Sequence, residues 1–171
     1  LQIMGLGPLG AHVDLLAAMS QQTPQKLRSL GRSDDECVLV YTGGTTGKPK
    51  GVLHTHRVQV AMILMQMADF DWPQESRFLA MTPITHASGA LMMPVLLRSG
   101  TVIMHPGFEV KHFCHLVQTH RVTCTFMLHI MIYVLLDSPV RETHDLSSLE
   151  TIMYGAAPLP PARLTEGISQ L

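Results

Sequence analysis

The sequence predicts an α/β fold in which helices cover both faces of a mostly parallel β-sheet. After residue 76, short runs rich in β-branched and apolar residues alternate with stretches of helical periodicity. This alternation is typical of parallel strands joined by right-handed helical crossovers. The chain has 171 residues, 46% of them hydrophobic, which is enough to bury one core. We therefore expect one domain or part of one.

The predicted elements can be placed in order along the chain. In residues 1–35 we expect a connecting segment with one helix around "HVDLLAAM". Two strands, "CVLVYT" and "GVLHTH", then flank a glycine-rich loop. The next stretch has apolar residues at positions 58, 61, 62, 65 and 68, a spacing that predicts a buried amphipathic helix. The remaining strands are predicted at "RFLAMT", "TVIMH", "VTCTFM" and "LETIMYG", and the remaining helices near 88–98, 109–120 and 127–137.

Charge and cysteine content exclude several classes of protein. The 12 Lys and Arg residues nearly balance the 13 Asp and Glu residues, so no global field favours nucleic acid or an anionic membrane. Three cysteines make an odd count without paired spacing, which favours a reducing compartment and predicts the cytoplasm. The longest apolar run, 122–136, is interrupted by His129 and is shorter than the ~18 to 20 residues of a membrane span.

The loop in "YTGGTTGKPKGV" is the strongest chemical signal. Its glycines lack a Cβ, so backbone N–H groups can converge on an anion, while threonine hydroxyls and lysine ammonium groups add donors and charge. The alternative is a flexible hairpin with exposed lysines, but this density of glycine, threonine and lysine favours a nucleotide phosphate site. The residues concerned are Thr42, Gly43, Gly44, Thr45, Thr46, Gly47, Lys48 and Lys50.

The loop differs from a P-loop, whose pattern is G-x-x-x-x-G-K-[ST]. That spacing requires a glycine where Thr42 stands and a serine or threonine where Pro49 stands. The loop is also predicted to run from strand to strand, without the helix N-terminus that a P-loop uses. A different kind of phosphate loop is indicated.

Residues 41–52 resemble the signature loop of the adenylate-forming superfamily of acyl-CoA synthetases, luciferases and nonribosomal peptide adenylation domains. The family usually reads Y-T-S-G-T-T-G-x-P-K-G-V, so Gly43 replaces a serine and removes one hydroxyl. Further along, "MTPITHASG" resembles the family's P-x-x-H segment, and "YGAAPLP" resembles its G-[GA]-A-P-L turn. The resemblance covers residues 36–171 and implies a partial AMP-binding domain, truncated at both ends, from the family's N-terminal domain.

The resemblance implies a two-step reaction with ATP, Mg²⁺ and coenzyme A. A carboxylic acid attacks the α-phosphate of ATP to give an acyl-adenylate, and a thiol then takes the acyl group. In this family the loop holds the phosphates, the histidine of the P-x-x-H segment lies near the acid, and the alanine-rich turn contacts adenine. The last two sites correspond here to His86 and to Gly155, Ala156 and Ala157. The family's Y-G-x-T-E segment, which supplies the magnesium carboxylate, has no match, so no metal ligand is predicted.

Other interpretations remain open. The histidines and cysteines between residues 112 and 124 are poorly placed for zinc, because on a helix they point in different directions. Alone, His86 could be an ordinary loop residue and "GAAPLPP" a turn before a helix that begins with proline. Three functions remain: a piece of an acyl-CoA ligase that is inactive in isolation, an adenylation domain that loads a carrier protein, and a nucleotide-binding module without ligase activity.

Overall fold

The computed structural model describes residues 4–5, 13–26, 31–42 and 49–171. The chain forms two compact units, Leu1–Arg32 and Ser33–Leu171. In the first unit, β1 (Met4–Gly5) pairs in parallel with β2 (Val13–Asp14), and α1 (Leu15–Ser20) follows. Asp14 caps α1, because its carboxylate accepts hydrogen bonds from the N–H groups at positions 16 and 17. The helix predicted in this segment is confirmed.

The second unit begins with an antiparallel hairpin. Strand β3 (Glu36–Thr42) pairs with β4 (Lys50–Thr55), so the predicted strands on either side of the glycine-rich loop are neighbours. Helix α2 (His56–Asp69) follows β4 directly, and His56, which was predicted as strand, begins this helix. Thr55 is the reason, since its hydroxyl accepts a hydrogen bond from the Val58 N–H and caps the helix.

The prediction that α2 is a buried amphipathic helix is wrong. None of its residues is buried, and at the predicted core positions Val58 and Met65 are 41% and 63% exposed. The apolar residues of the helix are not confined to one side, because Val60 and Leu64 lie outside the predicted stripe and are also exposed. Its packing partners are β4 and α3 (Ala87–Leu97). Apolar residues at helical spacing can be found on more than one side of this helix, so the periodicity could not identify the packed side.

The main sheet has four parallel strands in the order β6-β5-β7-β8. They are β5 (Arg77–Ala80), β6 (Thr101–Met104), β7 (Cys124–Leu128) and β8 (Thr151–Gly155). Helix α3 connects β5 to β6, and α4 (Val110–His120) connects β6 to β7. Helix α5 (His129–Leu136) and a 3-10 helix (Pro139–Thr143) lead to β8, after which α6 (Pro161–Gln170) begins. These elements confirm the predicted α/β fold.

Side chains alternate between the two faces of this sheet. On one face, Phe78 and Cys124 pack with Leu91 and Val95 of α3. On the other face, the sheet packs against α4 and α5 through a larger cluster that includes Leu79, Met81, Val122 and Met127. Helices therefore cover both faces, as the strand and helix alternation predicted.

Two buried threonines join β5 to β7. The Thr125 hydroxyl donates to the Leu79 carbonyl at 2.8 Å. The Thr123 hydroxyl donates to the Glu75 carbonyl and accepts from the Arg77 N–H, both at 2.8 Å. These bonds extend the short backbone ladder between β5 and β7 and hold the two strands side by side. The loops that follow the carboxyl ends of the two strands therefore start from fixed positions.

No helix in the described part of the chain is long and apolar enough to cross a membrane.

Candidate functional site

The order of the strands marks one crevice at the edge of the main sheet. After β5 the chain passes to α3 on one face, whereas after β7 it passes to α5 on the opposite face. The connections therefore diverge between two neighbouring strands, β5 and β7. In open α/β sheets, ligands bind in the crevice outside the carboxyl ends of the strands at such a switch point. Three of the predicted site segments can be compared with this position.

His86 lies at this crevice, in the loop that follows β5. The His86 N–H donates to the Pro83 carbonyl at 3.0 Å, which closes a tight turn. Its own carbonyl accepts from the Ala90 N–H at 3.2 Å, so His86 also begins α3. The imidazole is exposed and makes no capping hydrogen bond to the helix. The backbone of His86 is therefore fixed on both sides, while its ring is available to a ligand.

The segment Gly155–Ala157 lies at the same edge, at the end of β8. Gly155 pairs with Leu128, the last residue of β7. A Cβ on Gly155 would lie 3.4 Å from the Phe126 ring, so a small residue suits this close packing. Ala156 has a φ of 73°, a left-handed conformation that turns the chain sharply away from the sheet. The turn presents small side chains and backbone edges, a surface that suits a flat ring such as adenine.

The predicted phosphate loop is only partly described. Thr42 ends β3 and pairs with Lys50, the first residue of β4, so the two residues form the end of the hairpin that the loop connects. Gly43, Gly44, Thr45, Thr46, Gly47 and Lys48 lie outside the described residues. The structure therefore gives the strands that carry the loop, and the roles of the loop residues stay predictions.

Sequence reasoning missed His129, which begins α5 directly after β7. Its Nδ1 atom is buried and has no hydrogen-bond partner in the part of the chain that the structure describes. Its ring stands edge-on to the Tyr133 ring, with the centroids 6.1 Å apart. The available signal was a histidine near the start of the predicted helix 127–137, just after the predicted strand "VTCTFM", but from the sequence we interpret it only as an interruption of an apolar run.

The histidines and the one cysteine of α4 do not form a metal site. Cys114 is buried in the core, whereas the His112 Nδ1 lies 3.2 Å from the Glu109 carboxylate on the exposed side of the helix. Burial raises the pKa of the Cys114 thiol, which disfavours the thiolate that zinc requires. Among the described residues, no three His, Cys, Asp or Glu side chains are grouped to hold a metal ion.

An apolar pocket of about 280 Å³ lies beside this edge, between β8, α5 and α6. Ile152, Leu159 and Leu164 contribute to its walls, together with Tyr154, the residue before Gly155. None of the predicted site residues that the structure describes lines it. We therefore place the candidate chemistry at the crevice rather than in this pocket.

Comparison with known proteins identifies the family to which this fold belongs. A family model described as "AMP-binding enzyme" matches residues 10–167, nearly the whole chain. The chain belongs to this family. Among solved structures, the amide bond synthetase McbA from Marinactinospora thermotolerans is similar with a TM-score of 0.85 and 28% identity, over 99% of this chain and 34% of that protein. The fold is that of the N-terminal domain of adenylate-forming enzymes.

Similar curated proteins include acyl-CoA and aryl-CoA ligases. The medium/long-chain-fatty-acid–CoA ligase FadD8 of Mycobacterium tuberculosis is 39% identical over 98% of this chain and 30% of its own length. A feruloyl-CoA synthase of an Amycolatopsis species is 36% identical over 74% of this chain and 26% of its own length. The chain thus spans about a third or less of the length of these relatives.

Proposed function

We propose that this chain is part of an ATP-dependent ligase that activates a carboxylic acid as an acyl-adenylate and transfers the acyl group to coenzyme A. The observation that carries the proposal is that two predicted site segments follow the carboxyl ends of strands in one parallel sheet, and so lie at the same edge. The turn with His86 follows β5, and the turn Gly155–Ala157 follows β8. The similarity to fatty-acyl-CoA and feruloyl-CoA ligases supports coenzyme A as the acceptor. In this proposal residues 1–35 are a connecting segment and residues 36–171 belong to the adenylation domain.

His86 binds the acid in this proposal. An imidazole N–H can donate a hydrogen bond to a carboxylate oxygen and so orient the other oxygen toward the α-phosphate of ATP. The exposed ring on a fixed backbone suits this role, since only side-chain rotation is needed to reach the ligand. The same ring can turn away when the thiol of coenzyme A approaches the acyl carbon.

Gly155, Ala156 and Ala157 bind the nucleotide base in this proposal. Their small side chains leave room for a flat ring, and the left-handed turn at Ala156 exposes backbone groups that can hydrogen-bond to its edge. Phosphate binding falls to Thr42, Gly43, Gly44, Thr45, Thr46, Gly47, Lys48 and Lys50. These residues contribute by positioning the phosphates and neutralising their charge, which is the main requirement of nucleotidyl transfer from ATP.

Mg²⁺ is the expected companion of ATP, and the described residues contain no group of three His, Cys, Asp or Glu side chains that could hold a metal ion by themselves. We therefore assign no metal ligand to this chain and derive no step through the ion. For location we propose the cytoplasm, since Cys37, Cys114 and Cys124 are free thiols in the structure.

The test is an assay of the full-length protein that contains this chain. ATP and a panel of medium-chain, long-chain and aromatic acids are supplied, first without a thiol and then with coenzyme A. We expect pyrophosphate exchange and acyl-AMP in the first arm and an acyl-CoA thioester in the second. Acyl-AMP that transfers only to a carrier protein would support the carrier-loading alternative. Nucleotide binding without acyl-AMP for any acid would contradict ligase activity.

A further inference from the structure

The turn that carries His86 lies against the first turn of α3. From the end of β5 the chain passes through Thr82, turns at Pro83–His86 and enters the helix at Ala87. The ring of His86 makes no capping hydrogen bond, so its position depends on how the turn itself is held. Two contacts across the turn hold it.

The first contact involves Gly89. A Cβ at Gly89 would lie 1.8 Å from the Ile84 carbonyl oxygen and 2.9 Å from its carbonyl carbon. These atoms are backbone, so any side chain at position 89 displaces the Ile84 peptide, two residues before His86. The Ile84 side chain is 52% exposed, which means that its own packing contributes little to holding the turn.

The second contact is a hydrogen bond between the hydroxyl groups of Thr82 and Ser88, whose oxygens are 2.5 Å apart. Ser88 is completely buried, whereas Thr82 is half-buried. The bond joins the residue before the turn to the second residue of α3. The bond therefore links the two residues that flank the segment from Pro83 to Ala87 and holds the ends of this segment together.

We propose that Gly89 and the Thr82–Ser88 hydroxyl pair are positioning residues for His86. Gly89 permits the close approach of the turn to the helix, and the hydroxyl pair fixes its two ends. Together they aim the imidazole at the crevice between β5 and β7. This inference rests on the proposed role of His86 in binding the acid.

The experiment measures acyl-adenylate formation by the full-length protein with substitutions at these positions. We expect Gly89→Ala to lower kcat/KM for the acid about 10- to 100-fold, because a displacement of about 1 Å has effects of this size, while KM for ATP stays nearly constant. Thr82→Val removes the hydroxyl at similar volume and should lower kcat/KM about 3- to 10-fold. Thr82→Ser keeps the hydroxyl and should therefore keep kcat/KM close to the wild-type value.

Gly167→Ala is the matched control, since Gly167 also lies in a helix and a Cβ there meets nothing within 4 Å. We expect its kcat/KM to stay within about twofold of the wild type. Alanine is a better helix former than glycine, so helix propensity alone predicts no loss of stability for either glycine variant.

A double-mutant cycle with His86→Ala separates positioning from a general structural effect. If Gly89 acts through His86, Gly89→Ala should cause little further loss once His86 is alanine. Equal losses in both backgrounds would overturn the inference. If Gly89→Ala fails to fold, the Thr82→Val cycle decides in the same way.

The cycle also distinguishes failure of this inference from failure of the proposed function. A wild-type protein that forms no acyl-adenylate would overturn the proposed function and this inference with it. If the wild type is active but His86→Ala loses nothing, the role of His86 is wrong. If His86→Ala loses activity and the Thr82 and Gly89 variants do not, only the positioning role is wrong.

Discussion

At the scale of single residues, Ala156 is the clearest departure from what its side chain favours. Its φ of 73° lies in the left-handed region, where residues with a Cβ are disfavoured by about 1 to 3 kcal/mol. The conformation is maintained because the chain must leave β8 sharply at this point. Strain of this kind is common where a backbone turn forms part of a binding site.

We predict that Ala156→Gly increases the free energy of unfolding by up to about 1 kcal/mol. Glycine relieves the left-handed strain, although its greater freedom in the unfolded chain offsets about 0.5 to 1 kcal/mol of that gain. Ala157→Gly is the control: Ala157 does not have a positive φ, so this change should destabilise the protein. Urea denaturation measures both, and a less stable Ala156→Gly variant would contradict the assignment of strain.

The three cysteines should differ sharply in reactivity. Burial raises the pKa of Cys124 to about 11 and also raises the pKa of Cys114, whereas Cys37 is exposed on β3. At pH 8 the two buried thiols are therefore protonated as well as inaccessible. We expect iodoacetamide to label Cys37 in the native protein and the other two only after unfolding, as measured by peptide mass spectrometry. Rapid native labelling of Cys124 would contradict this burial.

At the scale of elements, short hydrogen-bonded contacts determine how strands and helices are held. Thr125 illustrates this in β7, because its buried hydroxyl donates to the Leu79 carbonyl of β5. Thr125→Val keeps the side-chain volume but removes the donor. We expect the free energy of unfolding to fall by about 1 to 3 kcal/mol, the cost of a buried group that loses its partner. Thr125→Ser keeps the hydroxyl and should lose less, and urea denaturation of both variants measures the difference.

Helix α4 should lose stability in acid through its first residues. The Lys111 and His112 N–H groups donate to the carboxylate of Glu109, the N-cap, and lower its pKa. A depressed pKa stabilises the fold above the unfolded-state pKa, and this contribution is lost as pH falls through the folded-state value. Glu109→Gln should therefore be less stable than the wild type at neutral pH, with the difference vanishing in acid. Thermal melts of both proteins, measured from neutral pH down to below the ordinary pKa of a glutamate side chain, test the prediction.

The sequence was informative wherever an element carries its own local pattern of apolar and β-branched residues. The four strands of the main sheet and their helices could be predicted because β-rich runs and helical stretches alternate between residues 77 and 170. Helix α2 could not be assigned a buried face, since its own apolar residues are not confined to one side. The boundary at His56 depended on the cap that Thr55 provides, which periodicity does not reveal.

The candidate site was predictable in part, for a similar reason. His86 and Gly155–Ala157 belong to local motifs, so the sequence alone could single them out as candidates, and their roles stay predictions. The two contacts made by Thr82, Ser88 and Gly89 join a loop to a helix, so they became visible only in the fold. The buried Nδ1 of His129 was missed because its burial depends on packing in the fold, which the sequence pattern does not reveal.

At the scale of the whole molecule, strand order separates the two ends of the proposed ligand. The loops with His86 and with Gly155–Ala157 follow β5 and β8, and β7 lies between these strands. Neighbouring strands are about 4.8 Å apart, so the two loops begin about 10 Å from each other. This separation allows one loop to contact the acid while the other contacts the nucleotide, provided that both face the same bound molecule.

We therefore predict that substitutions in the two loops affect different substrates. In the full-length protein, His86→Ala should raise KM for the acid or lower kcat about tenfold, with KM for ATP nearly unchanged. Ala157→Val adds two methyl groups to the turn after β8 and should raise KM for ATP about tenfold, while KM for the acid changes little. Steady-state pyrophosphate exchange, with each substrate varied in turn, measures both effects. If both variants raise KM for both substrates equally, the two loops do not bind opposite ends of one ligand, and the assignment of acid and nucleotide along the sheet edge is wrong.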